Sequence, residues 1–102
     1  MIARLWRGWT TAKNASAYEG LLRSTILPGL HRVAGYRGAW LLRRTGSDGV
    51  EFATVTLWES MAAVREFAGD DPDVAVVPPE ARRLLQQFDQ RSVHYEVVEG
   101  PS

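Results

Sequence analysis

The sequence predicts an α+β domain in which helices cover one face of an antiparallel sheet. Two observations lead to this fold class. Segments rich in β-branched and aromatic residues alternate with segments of helical apolar spacing in the order β-α-β-β-α-β, and turns containing Gly, Pro or Asp separate most of them. The 102 residues suffice for one domain with a modest hydrophobic core, so we treat residues 1–102 as a single domain.

The chain begins with a strand and a helix. Residues 2–10 have the aromatic and β-branched character of a strand, and Thr10 or Thr11 is suited to cap a helix that follows. Apolar residues spaced at about 3.6 extend this helix over residues 12–26. The pair Pro28-Gly29 is expected to end it.

Two strands joined by a hairpin come next. Residues 35–45 predict the second strand and residues 50–59 the third, and Gly46-Ser47-Asp48-Gly49 has the composition of a tight turn. Ser60 is then the N-cap of a second helix over residues 61–68.

The last part of the chain predicts a short helix and a final strand. Pro78-Pro79 is suited to the start of a helix, which we expect over residues 80–87. A strand over residues 89–98 completes the sheet. The full order is the ferredoxin-like split βαβ plan.

Both faces of this sheet are predicted to be apolar. Strand alternation places Tyr36, Trp40 and Leu42 on one face of the second strand, with Ala39 and Leu41 on the other. One face of the third strand carries Phe52, Thr54, Thr56 and Trp58. Because helices cover a single face, the other face needs a partner surface, and we predict a homodimer in which two sheets stack.

Composition excludes several classes of function. The chain has no cysteine, which excludes disulfides, thiolate metal sites and a cysteine nucleophile. Its 12 basic and 12 acidic residues give a formal net charge of zero, which argues against a nucleic-acid partner. No apolar run approaches the ~18 residues of a membrane span, and the N-terminus has no signal-peptide pattern. We therefore expect no membrane association and a cytoplasmic location.

No sequence motif identifies a metal or nucleotide site. A glycine-rich phosphate loop before a helix is absent, and the two histidines, His31 and His94, are 63 positions apart with no ligand spacing between them. We expect no metal. His94 is nevertheless the best candidate for acid–base chemistry, because an imidazole titrates near neutral pH. The alternative is a surface or dimer-edge histidine held by Glu96.

Aromatic residues are the most unusual feature of the composition, with four Trp and three Tyr. Such side chains form cores and dimer interfaces, and they also line pockets for planar ligands. Both interpretations stay open for the aromatic candidates, which are Trp6, Tyr36, Trp40, Phe52 and Trp58. Thr54 and Thr56 place hydroxyls beside them, which suits either a pocket or a hydrogen bond between strands.

Three segments resemble the antibiotic biosynthesis monooxygenase domain of the dimeric α/β-barrel superfamily. They are residues 30–40 (LHRVAGYRGAW), 54–60 (TVTLWES) and 92–98 (SVHYEVV), and with the order of elements the resemblance covers nearly the whole chain. It implies a dimer of ferredoxin-like sheets, with a cavity between each sheet and its helices.

The resemblance also implies a small monooxygenase that acts on a phenolic or quinone-like aromatic substrate without a bound cofactor. A base then removes a substrate proton, and the resulting carbanion reduces dioxygen. In that case His94 is the base, and Tyr36 or Thr56 is the donor to the developing anion. The binding walls are Trp58, Trp40, Phe52, Trp6 and Thr54. A non-catalytic dimer that binds a small ligand, or that stabilises a partner enzyme, is the alternative.

Haem-degrading members of this superfamily provide a comparison that can be made residue by residue. They combine an Asn in the first strand, a Trp at the end of the third and a His about three helical turns later. Here residues 2–10 contain no Asn, Trp58 matches the second element, and Ala68 stands where the His would fall. The comparison argues against haem.

Overall fold

A computed structural model describes residues 1–101 and has the expected α+β architecture. All strand pairs are antiparallel, and the sheet has the order β2-β3-β1-β4, with β5 also paired to β1. The strands are β1 (Ile2–Thr10), β2 (Tyr36–Gly46), β3 (Gly49–Trp58), β4 (Gln87–Phe88) and β5 (Val93–Glu96). The predicted ferredoxin-like fold is confirmed.

The helices lie on one face of the sheet. They are α1 (Ala12–Leu21), α2 (Leu27–Gly29), α3 (Met61–Ala68) and α4 (Pro79–Leu84). The hydroxyls of Thr11 and Ser60 accept hydrogen bonds from the backbone N–H groups of Asn14 and Ala63, the third residues of α1 and α3, so both helices begin at the predicted caps. Within residues 1–101, no helix has the length and apolar character needed to cross a bilayer.

The first helical segment is longer and less regular than predicted. It does not end at Pro28-Gly29 but runs from α1 through a π-helical turn (Leu22–Ile26) into α2 and a 3-10 turn (Leu30–Arg32). Proline has no N–H to donate within a helix, and the wider turn just before Pro28 accommodates that loss. Pro28-Gly29 normally ends a helix, but here the helical segment continues through it in an irregular form.

The segment after α3 also departs from the prediction. The helix α4 ends at Leu84, not at residue 87, and β4 forms just before the predicted last strand. Of the strand expected over residues 89–98, only β5 is present. Between β4 and β5 the backbone turns to the preceding loop, where Ala75 N–H donates to Gln90 O at 3.0 Å and Ser92 N–H to Asp73 O at 2.6 Å. These bonds replace pairing with β1.

A β-bulge in β2 changes which face its side chains occupy. Tyr36 pairs with Trp58, but the register shifts between Tyr36 and Gly38, so that Trp40 pairs with Val55. One extra residue reverses the alternation, and Trp40 therefore lies on the face away from the helices. The prediction that Tyr36 and Trp40 share a face was wrong.

Two buried aromatic clusters hold the helices on the sheet. In one, the rings of Tyr18 and Phe52 lie 5.1 Å apart. In the other, Trp58 is fully buried, with ring centres 5.2 Å from Phe67 and 5.4 Å from Tyr36. Burial of side chains this large supplies much of the hydrophobic stabilisation of a small domain.

The opposite face of the sheet is apolar and is not covered by any helix. Its apolar residues include Ala3, Leu5, Trp40, Leu42, Val55, Leu57, Val93 and Tyr95. Four of these side chains are about half exposed: Trp40 at 46%, Leu42 at 49%, Val93 at 50% and Tyr95 at 55%. We call this the outer face.

Gly35→Ala is expected to destabilise the protein more than Gly38→Ala. Both glycines have positive φ, +87° and +132°, which strains any L side chain. A Cβ at Gly35 would also lie 2.5 Å from Ala63 Cβ, whereas one at Gly38 would meet nothing within 4 Å. In urea unfolding, the free energy of unfolding should fall by about 1–2 kcal/mol for Gly38→Ala and by about 3 kcal/mol or more for Gly35→Ala. Equal losses would contradict the close approach of residue 35 to α3.

Candidate functional site

A cavity of about 320 Å³ lies between the sheet and the helices and is partly open to solvent. Arg4 and Trp6 of β1 and Thr54 and Thr56 of β3 form its floor. The irregular helical segment and its neighbours form the other walls: Tyr18, Leu22, Thr25, Ile26, Leu27, Leu30, Phe67, Val76, Val77, Pro78, Glu80, Ala81 and Ser92. The lining is mostly apolar, and the volume is in the range of small-molecule sites.

The space exists because of the order of large and small residues along β3. On the helix-facing side, two threonines stand between the buried rings of Phe52 and Trp58. The rings support α1 and α3 at the two ends of the strand, and the short side chains between them do not fill the gap. The space above the floor of the cavity therefore follows from the order of large and small side chains along β3.

Thr56 is a hydrogen-bond donor available to this cavity. Its Oγ accepts from Trp58 Nε1 at 2.8 Å, in a fully buried contact. A hydroxyl that already accepts can still donate its own proton. Trp58 thus fixes the orientation of Thr56 without lining the cavity itself.

Arg4 places a buried cation in the floor of the cavity. Only 4% of the residue is exposed, and its guanidinium donates to the carbonyl oxygens of Pro72 and, at 2.9 Å, Val74. It also lies 2.9 Å from His94 Nε2 and 5.6 Å from the ring centre of Phe67. Burial lowers the pKa of Arg4, and the charge of Asp73 opposes that shift. A guanidinium remains protonated in proteins.

A chain of hydrogen bonds joins Asp73, His94 and Arg4. Because an arginine only donates, His94 Nε2 must accept from it, and the proton therefore sits on Nδ1, 2.9 Å from the Asp73 carboxylate. Burial and the nearby Arg4 charge lower the pKa of His94, although Asp73 opposes them. His94 is thus a neutral imidazole at pH 7, with both ring nitrogens engaged.

Two further polar groups belong to the lining. The Ser92 hydroxyl is buried and has no hydrogen-bond partner among the described residues, and 4% of the residue is exposed. Burial raises the pKa of Tyr18. Its phenol therefore stays protonated and neutral across the physiological pH range.

The structure brings together some of the residues that the sequence singled out. Three of them line the cavity: Trp6, Thr54 and Thr56. Three lie in the core beside it: Tyr36, Phe52 and Trp58. Trp40 lies on the outer face, and His94 lies behind Arg4, outside the lining. The catalytic and binding roles of all eight stay predictions.

Sequence reasoning missed the most polar part of the site. Arg4 follows Ile2 and precedes Trp6 on the helix-facing side of β1, and a charged residue within such an apolar face is a detectable signal. Ser92 gave no such signal, because its burial depends on the loop that packs over it.

The residues present do not fit haem. Haem iron is held by His, Cys, Met or Tyr, yet the described lining contains no His, Cys or Met, and the buried Tyr18 resists ionisation to a phenolate. Across residues 1–101, no three His, Cys, Asp or Glu side chains form a group that could hold a metal ion.

No protein-family model and no curated protein matches the sequence. Solved structures do match it. A Deinococcus radiodurans protein, provisionally described as an antibiotic biosynthesis monooxygenase, has 15% identity and a TM-score of 0.66, over 100% of this chain and 97% of that one. SnoaB, a cofactor-independent oxygenase from Streptomyces nogalater, has 16% identity and a TM-score of 0.66, over 97% and 94%.

A third neighbour is MhuD, a haem degrader from Mycobacterium tuberculosis with two haems bound in its active site. It has 16% identity and a TM-score of 0.63, and the alignment covers both chains completely. The family resemblance seen in the sequence agrees with these neighbours. At such identities the shared property is the fold, and the neighbours differ in what they bind.

Acid is expected to destabilise the protein through His94. Because the pKa of His94 is lowered in the folded state, the unfolded chain takes up a proton at this residue at a higher pH than the folded protein does. The resulting stability is present above the ordinary imidazole pKa of about 6.5 and is lost as pH falls through the folded value. In urea unfolding, the free energy of unfolding of the natural protein should therefore be lower at about pH 5.5 than at about pH 7.5.

His94→Gln should show a smaller loss, because its amide can accept from Arg4 and donate to Asp73 without titrating. His31→Gln is the matched control and should keep the natural pH dependence. If all three proteins lose the same stability, His94 is not the titrating group.

Proposed function

We propose that the protein is a small monooxygenase that oxidises a planar aromatic molecule in this cavity. The observation that carries the proposal is an apolar cavity of about 320 Å³ between the sheet and the helices, with rings of Trp6, Tyr18 and Phe67 in its walls. Flat apolar walls with a few placed polar groups suit a planar ligand. The monooxygenases among the structural neighbours support the same class of reaction.

The proposed reaction uses dioxygen as the oxidant and no bound cofactor. A CH₂ group activated by an adjacent ring ketone or phenol loses a proton, and the carbanion passes one electron to dioxygen. The two radicals combine, and after protonation the hydroperoxide loses water to leave a C=O group. The carbon is oxidised, and dioxygen supplies one oxygen atom to the product and one to the water.

The chain's own residues exclude water and stabilise charge in this reaction. The apolar walls keep bulk solvent from the reacting carbon, and the Thr56 hydroxyl can donate to the substrate oxygen on which negative charge develops. His94 has no free ring nitrogen in the structure, so we assign the substrate proton to water at the open side of the cavity. Glu80, an exposed carboxylate in the lining, can relay it.

A ligand-binding protein without catalysis is the second candidate. The observation in its favour is that the histidine expected to act as base is held by Asp73 and Arg4. Such a protein would bind the same planar molecules and consume no dioxygen.

Thr25→Trp is expected to impair the oxygenase by closing the cavity. Thr25 is exposed and lies in the lining, whereas its exposed neighbour Ser24 does not line the cavity, so Ser24→Trp is a matched control. With anthrone and an oxygen electrode, the natural protein should consume one dioxygen per anthrone and form anthraquinone. We expect kcat/KM to fall about tenfold or more in Thr25→Trp and to stay near the natural value in Ser24→Trp.

Each other outcome has a definite meaning. Equal uptake by both variants would contradict the assignment of the reaction to this cavity. If the natural protein takes up no dioxygen but anthraquinone quenches its tryptophan fluorescence, and Thr25→Trp abolishes the quenching, the binding protein is correct.

We also infer a homodimer that covers the outer face. Exposed apolar side chains from β2 and β5 and partly exposed ones from β1 and β3 lie on this one face, and monomers seldom expose so large an apolar patch. A second copy supplies the same apolar surface, so two sheets can stack face to face.

Leu42→Glu is expected to separate this dimer, because it would bury a charge within an apolar contact. Sedimentation velocity should show a dimer for the natural protein and a monomer for the variant. Val98→Glu replaces an exposed apolar residue outside the sheet and should remain dimeric. A natural protein that sediments as a monomer at high concentration would contradict the proposal.

A further inference from the structure

We propose that the cavity recognises an acidic oxygen of its ligand, and that Arg4 and Ser92 bind that oxygen. The proposal rests on the proposed function for the planar aromatic part of the ligand and deepens it by naming the ligand's charged end. The ligand class is then a flat aromatic molecule that carries an ionised phenol, an enolate or a carboxylate.

The charge of Arg4 is buried without direct contact to an anion. Its partners in residues 1–101 are two backbone carbonyls and a neutral imidazole, none of which carries a negative charge. Asp73 acts on it only from behind His94, and that carboxylate is shared with Arg91 at 3.5 Å. A buried cation that lacks a direct counter-ion is unfavourable, and an anionic ligand would relieve this.

Arg4 also has N–H groups that donate to no partner among the described residues. Its contacts with Pro72, Val74 and His94 use three of the five guanidinium N–H groups, which leaves two for a further acceptor. The two that remain are Nε–H and one Nη2–H, and guanidinium N–H groups form strong hydrogen bonds with carboxylate and phenolate oxygens.

Ser92 is the second and independent observation. Its hydroxyl is buried, unpartnered and part of the cavity lining, and a buried polar group without a partner is costly. Ser92 directly precedes β5, two residues before the His94 that contacts Arg4, and both Arg4 and Ser92 line the cavity. One ligand oxygen at this end of the cavity could accept from both side chains.

An acidic-oxygen site also accounts for the engaged histidine. A cation beside a phenol or an enol stabilises its ionised form, so the substrate can give its proton to water at the open side of the cavity without a histidine base. The ionised ring system is the electron-rich species that the proposed reaction with dioxygen requires. Arg4 would then be a catalytic residue that touches the substrate.

The first test compares two ligands of nearly the same shape on the natural protein. We would measure the Kd of 2-naphthoate, which is an anion, and of 2-acetylnaphthalene, which is neutral, by quenching of tryptophan fluorescence. The anion should bind about tenfold or more tightly. A second probe, 7-hydroxycoumarin, absorbs differently as a phenol and as a phenolate, and its apparent pKa should fall when it is bound. The two probes separate a carboxylate ligand from a phenolate.

Variants then assign the preference to the two residues. Arg4→Met should abolish the preference for the anion, and Arg7→Met, on the same strand but facing away from the helices, should keep it. Ser92→Ala should weaken naphthoate binding by about threefold to tenfold and leave acetylnaphthalene unchanged. If circular dichroism shows that Arg4→Met does not fold, Ser92→Ala and the comparison of the two ligands on the natural protein still test the acidic-oxygen site.

The outcomes separate this proposal from the oxygenase. Equal binding of the two naphthalenes to the natural protein, or an anion preference that survives Arg4→Met, would overturn the acidic-oxygen site even if anthrone oxidation is observed. A preference that depends on Arg4 and Ser92 supports the site even if no dioxygen is consumed, in which case the oxygenase alone is wrong.

Discussion

The structure around the cavity depends on one buried cation. Arg4 stands in the central strand of the sheet, and its guanidinium holds Pro72 and Val74 of a distant loop and His94 of the last strand. These contacts fix the loop that closes one wall of the cavity and set the protonation of the imidazole. Charge buried on the helix-facing side of a sheet is unfavourable by itself, so the segments that surround it are arranged to satisfy it.

The cavity and the outer face both arise because the helices are few and short and cover only one face of the sheet. Short helices cover a single face of a five-stranded sheet, and they rest on the large rings at the two ends of β3. Between those rings Thr54 and Thr56 leave space for a ligand. On the other side, the bulge in β2 adds Trp40 to an apolar surface that we infer to meet a second copy. One side of the sheet therefore provides a candidate binding site, and the other provides a candidate interface.

Local signals in the sequence predicted the order of the elements well. Alternation, helical spacing and the caps at Thr11 and Ser60 act over a few residues, and the structure has the first three strands and the α3 helix within a residue or so of the predicted positions. The hydroxyls of Thr54 and Thr56 beside large aromatics suited either a pocket or a hydrogen bond between strands, and both residues line the cavity. These features need no knowledge of distant parts of the chain.

Long-range contacts decided the parts that were missed. The bulge near Gly38 reversed the face of Trp40. A glycine inside a strand is compatible with a bulge, but it does not show by itself that an extra residue is inserted there. The bonds from Ala75 and Ser92 shorten the last strand to β5, and the bonds of His94 to Asp73 and Arg4 join positions 21 and 90 residues apart. A pattern within one segment contains no information about such partners.

A crystal structure with anthraquinone-2-carboxylate bound would test most directly how the cavity recognises its ligand. We expect the ring system between the sheet and the irregular helical segment, with a carboxylate oxygen about 3 Å from the Arg4 guanidinium and within hydrogen-bond reach of Ser92 Oγ. A ring bound on the outer face, or a carboxylate turned away from Arg4 towards solvent, would contradict the site.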